Sequence, residues 1–259
     1  MNNFWQLKKV TIPERESVVK GIKNFTKILA GPQGLYDFLQ KQRVNHKLRK
    51  SNPEDIFTDI FHGNKFGGTE SVSGIGSGLS ECRIIIEMLP ILLQEMNVAS
   101  ILDIPCGDFN WMNRVNLGKI SYIGADIVKI LIQKNRKKYS KESRRFLHLD
   151  IITDPLPKVD LVFCRDLFVH FCFKDIFKSL HNIIKSKSLY LLTTTFTSKK
   201  VNNDILTGRW RTLNLEIFPF HFPKPLKMVN EEYEDDRFKD KSLGLWKIAD
   251  ISRTPSWVL

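Results

Sequence analysis

The chain has 259 residues, of which 42% are hydrophobic and 26% charged, proportions that suit one soluble domain with extensions and allow a large core. No apolar run approaches the roughly 20 residues of a membrane span, and Met1 to Lys9 lacks the apolar stretch of a secretory signal. A net charge of +12 fits nucleic acid, an anionic surface or a phosphorylated small molecule, but the Lys and Arg residues are scattered, so a dedicated nucleic-acid face is disfavoured.

In chain order, residues 1 to about 60 read as helices. Glu14 to Leu29 has helical spacing and stops at the turn Gly31-Pro32-Gln33-Gly34; Leu35 to Lys50 makes a second helix, and Asn52-Pro53 opens a third over Glu54 to Phe61. The stretch His62 to Gly78 holds six glycines, with Phe66, Thr69, Glu70, Val72 and Ile75 interspersed. Consecutive N–H groups in such a loop can wrap a ligand, and a plain linker is the alternative. Leu79 to Glu95 reads as a helix with Arg83 near its start and an interruption at Pro90.

Val98 to Ile104 is an apolar run long enough for one buried strand. Pro105-Cys106-Gly107 breaks it. Gly107 permits a sharp turn and a close ligand approach, and Asp108 can cap a helix starting at Phe109. A strand, a glycine turn and a helix start form either a nucleotide cradle or an ordinary strand-to-helix turn. Strands then alternate with helices: strands at Ile120–Ala125, Phe146–Leu149, Leu161–Cys164 and Leu189–Thr195, helices at Ile127–Lys138 and Phe173–Ile184. This alternation implies a parallel sheet with ligands at the strands' carboxyl ends. Three successive strands end in acids, at Asp126, Asp150 and Asp166, which marks a site on that edge.

From Ser198 to Tyr233 the pattern gives way to an aromatic, proline-rich insertion, a length at which loops are usually functional. Leu226 to Val229 and Ser242 to Ile248 read as a closing antiparallel pair. The expected organisation is a helical cover with the glycine-rich loop over 1–95 and a ligand-binding domain over 96–259, insertion at 198–233, packed as one unit. Cys82, Cys106, Cys164 and Cys172 form no C-x-x-C pair, which suits reduced thiols in the cytoplasm.

The order Leu102-Asp-Ile-Pro-Cys-Gly-Asp-Phe109, Tyr122-Ile-Gly-Ala-Asp126, Asp150 and Asp160-Leu-Val-Phe-Cys-Arg-Asp166 resembles the class I S-adenosylmethionine-dependent methyltransferases. Pro105 stands where the usual Asp-x-Gly-x-Gly motif has its first glycine. Gly67 to Ser77, Arg165 to His170, Thr207 to Leu215 and Lys241 to Trp246 resemble a bacterial subgroup that accompanies capsule and surface-polysaccharide genes, similar to Campylobacter-type heptose O-methyltransferases. The resemblance implies a Rossmann-like α/β fold, mostly parallel with a closing antiparallel hairpin, and S-adenosylmethionine as cofactor, leaving as S-adenosylhomocysteine. It implies a nucleotide-linked sugar as acceptor. It places Asp103, Pro105, Cys106 and Gly107 along the methionine part, Asp126 with Ile127 at the ribose, and Asp150 with Ile151 at the adenine. Arg165, Gly76 and Arg83 complete the cofactor set.

The residue chemistry agrees. A ribose diol presents two donors that suit one carboxylate, and an adenine amine suits another. A sugar hydroxyl needs a base; His170 is the candidate, with Asp166 four residues before it to orient it. A helix cap is the other reading of His170, and a divalent cation held by Asp166 and His170 is the rival mechanism. In the insertion, Arg209 and Arg211 can grip phosphate, Trp210 can hold a sugar, and His221 is a further substrate contact. An RNA or protein methyltransferase and a non-enzymatic S-adenosylmethionine-binding protein are the alternative functions. The sequence leaves the metal requirement and the oligomeric state open.

Overall fold

The computed structural model describes residues 32–252. The helix expected over Glu14–Leu29 lies outside them. The chain divides into two units, Met1–Lys50 and Ser51–Leu259. The described part of the first is helix α1, Pro32–Lys50. Pro32 to Gly34 thus form its first turn rather than a preceding turn. Proline suits that position because the first helical N–H has no intrahelical partner. Lys47, Arg49 and Lys50 in the last turn suit the negative end of the helix dipole.

The second unit opens with α2, Pro53–His62, capped where Asn52 Oδ1 accepts from the Asp55 N–H at 2.9 Å. The glycine-rich loop follows, then α3, Arg83–Glu95, which runs through Pro90 without ending there. The sheet comprises β1 (Ser100–Asp103), β2 (Ser121–Asp126), β3 (Arg144–His148), β4 (Leu161–Cys164), β5 (Tyr190–Phe196), β6 (Lys227–Asn230) and β7 (Lys241–Lys247). Helices α4 (Lys129–Tyr139), α5 (Phe173–Lys185) and α6 (Ile248–Ile251) complete the described α-helices.

The spatial order is β3-β2-β1-β4-β5-β7-β6. The first five of these strands are parallel; β7 runs antiparallel to β5 and to β6. The Rossmann-like sheet and its closing hairpin therefore stand as the sequence led us to expect. β1 lies between β2 and β4, which lie in opposite directions from it, and this switch point opens a crevice at the carboxyl ends. Apolar runs bury the central strands on both faces: Ile101, Leu102, Val162, Phe163, Leu191 and Leu192 are all buried.

The crossover from β1 to β2 departs from expectation. No α-helix starts at Phe109; the segment carries a single 3-10 turn, Met112–Arg114. The Asp108 carboxylate does accept the Asn110 N–H at 3.2 Å. Its other contacts go to the glycine-rich loop: the Ser71 hydroxyl at 2.9 and 3.0 Å and the Val72 N–H at 3.0 Å. No helix of the described residues is long and apolar enough to cross a membrane.

Candidate active site

A cavity of about 900 Å³ opens at the carboxyl ends of β1, β2 and β4. The glycine-rich loop forms one wall, and the segment between β6 and β7 forms another. Asp103, Pro105, Cys106 and Gly107 follow β1 into the cavity. Asp126, Ile127, Asp150 and Ile151 follow β2 and β3, and Arg165, Asp166 and His170 follow β4. Gly76, Arg83 and Trp210 also line it. Arg209, Arg211 and His221 do not.

The cradle end is shaped by backbone. Gly107 has φ 53°, and a Cβ there would lie 2.1 Å from Ser73 Oγ, so only glycine allows the loop to close over this turn. The Ser73 hydroxyl accepts the Asp108 N–H at 3.1 Å. Beside it, Asp126 is buried; its Oδ2 accepts the Gly107 N–H at 3.1 Å and its Oδ1 the Val128 N–H at 2.9 Å. Burial pushes its carboxyl up to about 6 against those two bonds. Burial likewise pushes the Asp103 carboxyl up to about 8, against the hydrogen bond from the Tyr122 hydroxyl. Asp150 is half-buried and raised by burial; it accepts the Ile152 N–H at 2.8 Å and the Thr153 hydroxyl at 3.2 Å.

The opposite end is built on a buried ion network. Asp166, two residues past the end of β4, has φ 56°, a left-handed backbone that is rare for a non-glycine residue. Its Oδ2 accepts from Lys241 Nζ at 2.6 Å and its Oδ1 from the Thr194 hydroxyl at 3.2 Å. Arg165 Nη2 pairs with Glu231 Oε2 at 2.6 Å and donates to the Gly76 carbonyl at 2.9 Å. Lys241 Nζ also donates to the Tyr233 hydroxyl and pairs with Glu231 Oε2, each at 3.1 Å. Burial alone would raise the Asp166 carboxyl, but Lys241 and Arg165 hold it at about 2.

His170 stands next to this network. Its Nδ1 lies 3.0 Å from the Arg209 carbonyl. A carbonyl only accepts, so Nδ1 carries the proton and Nε2 of the neutral ring is bare. Burial pushes the imidazole down to about 4, which keeps it neutral. Phe66 of the glycine-rich loop stacks on it at 4.7 Å.

Several expectations need correction. Asp166 does not make the orienting hydrogen bond to His170, because Lys241 and Thr194 take its oxygens; the Arg209 carbonyl does that work. His170 is not the cap of α5, since Asp204 Oδ1 accepts the Phe173 N–H at 2.7 Å and Thr207 Oγ1 the Cys172 N–H at 3.0 Å. Arg211 is a buried strut: its guanidinium donates to the Phe168, Phe171 and Asn203 carbonyls at 2.7, 2.9 and 3.1 Å. His221 is exposed beside Phe218. Among the described residues no cluster of three or more His, Cys, Asp or Glu side chains could hold a metal, and Asp166 Oδ2 is paired with the Lys241 ammonium.

The residues that sequence reasoning missed are Glu231, Tyr233, Phe238 and Lys241, all lining the cavity. The available signal was Lys241, a lone cation heading the apolar run of β7 and buried in the structure.

No protein-family model matches the chain, and no curated protein matches it. Solved structures do. A 1,6-didemethyltoxoflavin-N1-methyltransferase from Burkholderia thailandensis, with its substrate and S-adenosylhomocysteine bound, aligns with 75% of this chain and 86% of its own at TM-score 0.57 and 12% identity. Magnesium protoporphyrin IX methyltransferase from Synechocystis PCC 6803, with S-adenosylmethionine bound, aligns with 76% of this chain and 97% of its own at TM-score 0.53 and 12% identity. The N-methyltransferase NodS from Bradyrhizobium japonicum WM9 aligns with 67% of this chain and 98% of its own at TM-score 0.50 and 10% identity. Together with the strand order, these likenesses show that the chain has the Rossmann-like fold of the class I methyltransferases.

Proposed function

We propose that the chain is an S-adenosylmethionine-dependent O-methyltransferase whose acceptor is a sugar hydroxyl. The observation that carries this reading is the presence, in one cavity, of a buried strand-end carboxylate at Asp126 and a neutral imidazole at His170 whose Nε2 is bare.

The donor set fits the cofactor. Asp126 would accept from the two ribose hydroxyls, Asp150 would accept from the adenine amine, and Ile151 would pack beside the ring. Gly107, without a side chain, lets the ligand approach the backbone. When bound, S-adenosylmethionine supplies an electrophilic methyl on a sulfonium. The protein positions the acceptor oxygen and removes its proton. His170 Nε2 takes that proton while the Arg209 carbonyl holds the Nδ1–H and fixes the ring. Asp166, ionised beside His170, favours the imidazolium that forms.

The finer reading, a nucleotide-linked heptose destined for capsular polysaccharide, rests on the resemblance of residues 67–77, 165–170, 207–215 and 241–246. The diphosphate grip assigned to Arg209 and Arg211 has no support from Arg211; the guanidinium groups that line the cavity are Arg83, Arg165 and Arg237, of which Arg165 is already paired with Glu231. Glu81, Glu232, Glu234 and Asp235 line it as well, which disfavours a long polyanion such as RNA as acceptor. Incubation with methyl-labelled cofactor and a panel of free, nucleotide-linked and polymeric heptoses, read by mass spectrometry, tests the proposal. Label transferred to none of the sugars overturns the acceptor assignment.

A further inference from the structure

The glycine-rich loop carries an aromatic ring onto His170. The Phe66 and His170 rings both line the main cavity, with centroids 4.7 Å apart and planes inclined at 39°. The hydrogen bond from Nδ1 to the Arg209 carbonyl fixes one point of the imidazole. One hydrogen bond leaves a ring free to rock about its own axis; a second ring packed on it removes that freedom and takes water from the covered surface. Among the charged groups near the imidazole, Asp166 favours its charged form, and Arg211 and Lys241 oppose it. Burial outweighs all three.

Phe66 is itself held from a distance. Gly74 has φ 106°, and a Cβ there would lie 2.9 Å from Phe66 Cβ, so the loop closes on Phe66 only with glycine at that position. The Gly74 N–H donates to the Ser71 carbonyl at 3.2 Å, and Asn64 Nδ2 ties the loop across to the Gly68 carbonyl at 3.1 Å. Ser71 and Val72 are the residues bonded to the Asp108 carboxylate at the turn after β1. A continuous run of contacts therefore leads from Asp108 through Ser71, Gly74 and Phe66 to His170.

We infer that Phe66 is a positioning residue for His170: the loop holds it over the imidazole, where it fixes the ring plane and keeps water off the ring, and the anchor on Asp108 ties that placement to the turn that cradles the cofactor. The inference rests on the reading of His170 as the base.

Nitrogen-15 NMR of the full-length, histidine-labelled protein, with no acceptor present, reads the tautomer and the protonation of His170, whose signal is the one lost in His170→Ala. With a midpoint at about 4, the wild-type ring at pH 5 should be roughly one-tenth protonated and carry its neutral proton on Nδ1. Phe66→Tyr keeps the ring and should match it. Phe66→Ala should be at least about half protonated at the same pH, a midpoint raised by about one unit, because water reaches the imidazole. Asp108→Ala keeps Phe66 but releases the loop, and should shift His170 in the same direction. Removing an acid would by itself disfavour the imidazolium, so a rise in this variant reports the loop. It also decides the matter if Phe66→Ala fails to fold. Protonation of His170 unchanged in Phe66→Ala overturns the positioning role, and a rise there that Asp108→Ala does not share overturns the tie to the cofactor turn. Turnover of His170→Ala tests the base assignment by itself, so the two can fail independently.

Discussion

His170 Nδ1 and the Arg209 carbonyl lie 3.0 Å apart, a bond that fixes the tautomer of the only histidine in the main cavity of the described residues. The turn that supplies the carbonyl also carries Trp210 to the cavity wall. His170→Ala should lower turnover by roughly 10²–10⁴ while leaving S-adenosylhomocysteine affinity near wild type. Full turnover in the mutant would remove His170 from the mechanism.

The pH dependence follows from the same burial. An imidazole held at about 4 is already neutral throughout the physiological range. With cofactor saturating, turnover should stay level down to about pH 5.5 and fall only as the ring protonates. An unperturbed imidazole would instead give a rise around ~6.5. The lowered value also makes a stability statement: the histidine's contribution is whole above ~6.5 and is lost as pH falls through about 4. An acidic limb of turnover centred near ~6.5 would contradict the buried-base assignment.

Asp126 behaves in the opposite sense. Its carboxyl is raised to about 6, and only the ionised form offers the ribose hydroxyls its full set of acceptors. Cofactor affinity should therefore rise as pH increases through about 6, measured by calorimetry at fixed ionic strength. In the empty protein the sign is reversed: a raised carboxyl contributes stability that is present below ~3.8 and lost as pH rises through about 6. Affinity independent of pH across this window would argue against the ribose role.

The ion network makes a stability prediction. Lys241→Met leaves Asp166 and Glu231 with Arg165 as their only buried counter-charge among the described residues, and removing one member of a buried pair costs about 3–5 kcal/mol. Urea unfolding should show a loss of that order. A loss below about 1 kcal/mol would mean that water reaches the pair and screens it.

The glycine-rich loop is held to the β1 turn through Asp108. Asp108→Ala removes the acceptor for Ser71 and Val72, so the segment 66–78 should be cleaved faster by protease and cofactor affinity should fall. Unchanged cleavage in the mutant would show that the Arg165 bond to the Gly76 carbonyl is enough to hold the loop.

Much of this was legible in the sequence because it is local. The strand-and-helix alternation comes from hydrophobic period, Asp126, Asp150 and Asp166 follow from position at strand ends, and Asp103 follows from the family resemblance. What was hidden depends on long-range pairing. Asp108 looked like a cap because its partners, Ser71 and Val72, come from far upstream. Arg211 looked like a phosphate grip because nothing local tells that its guanidinium is consumed by carbonyls of 168–171. Lys241 and Tyr233 belong to a hairpin whose strand pattern is purely structural, and only folding brings that hairpin against the end of β4.

The most direct test is the calorimetric affinity of S-adenosylhomocysteine for wild type and for Asp126→Ala at neutral pH, with circular dichroism to confirm an unchanged fold. Asp126 would supply two charge-assisted bonds to the ribose, each worth about 1.5–3 kcal/mol, so wild type should bind and the variant should be weaker by roughly 10² or more. A wild-type protein that does not bind S-adenosylhomocysteine, or a variant that binds it equally well, would contradict the assignment of this cavity to the cofactor.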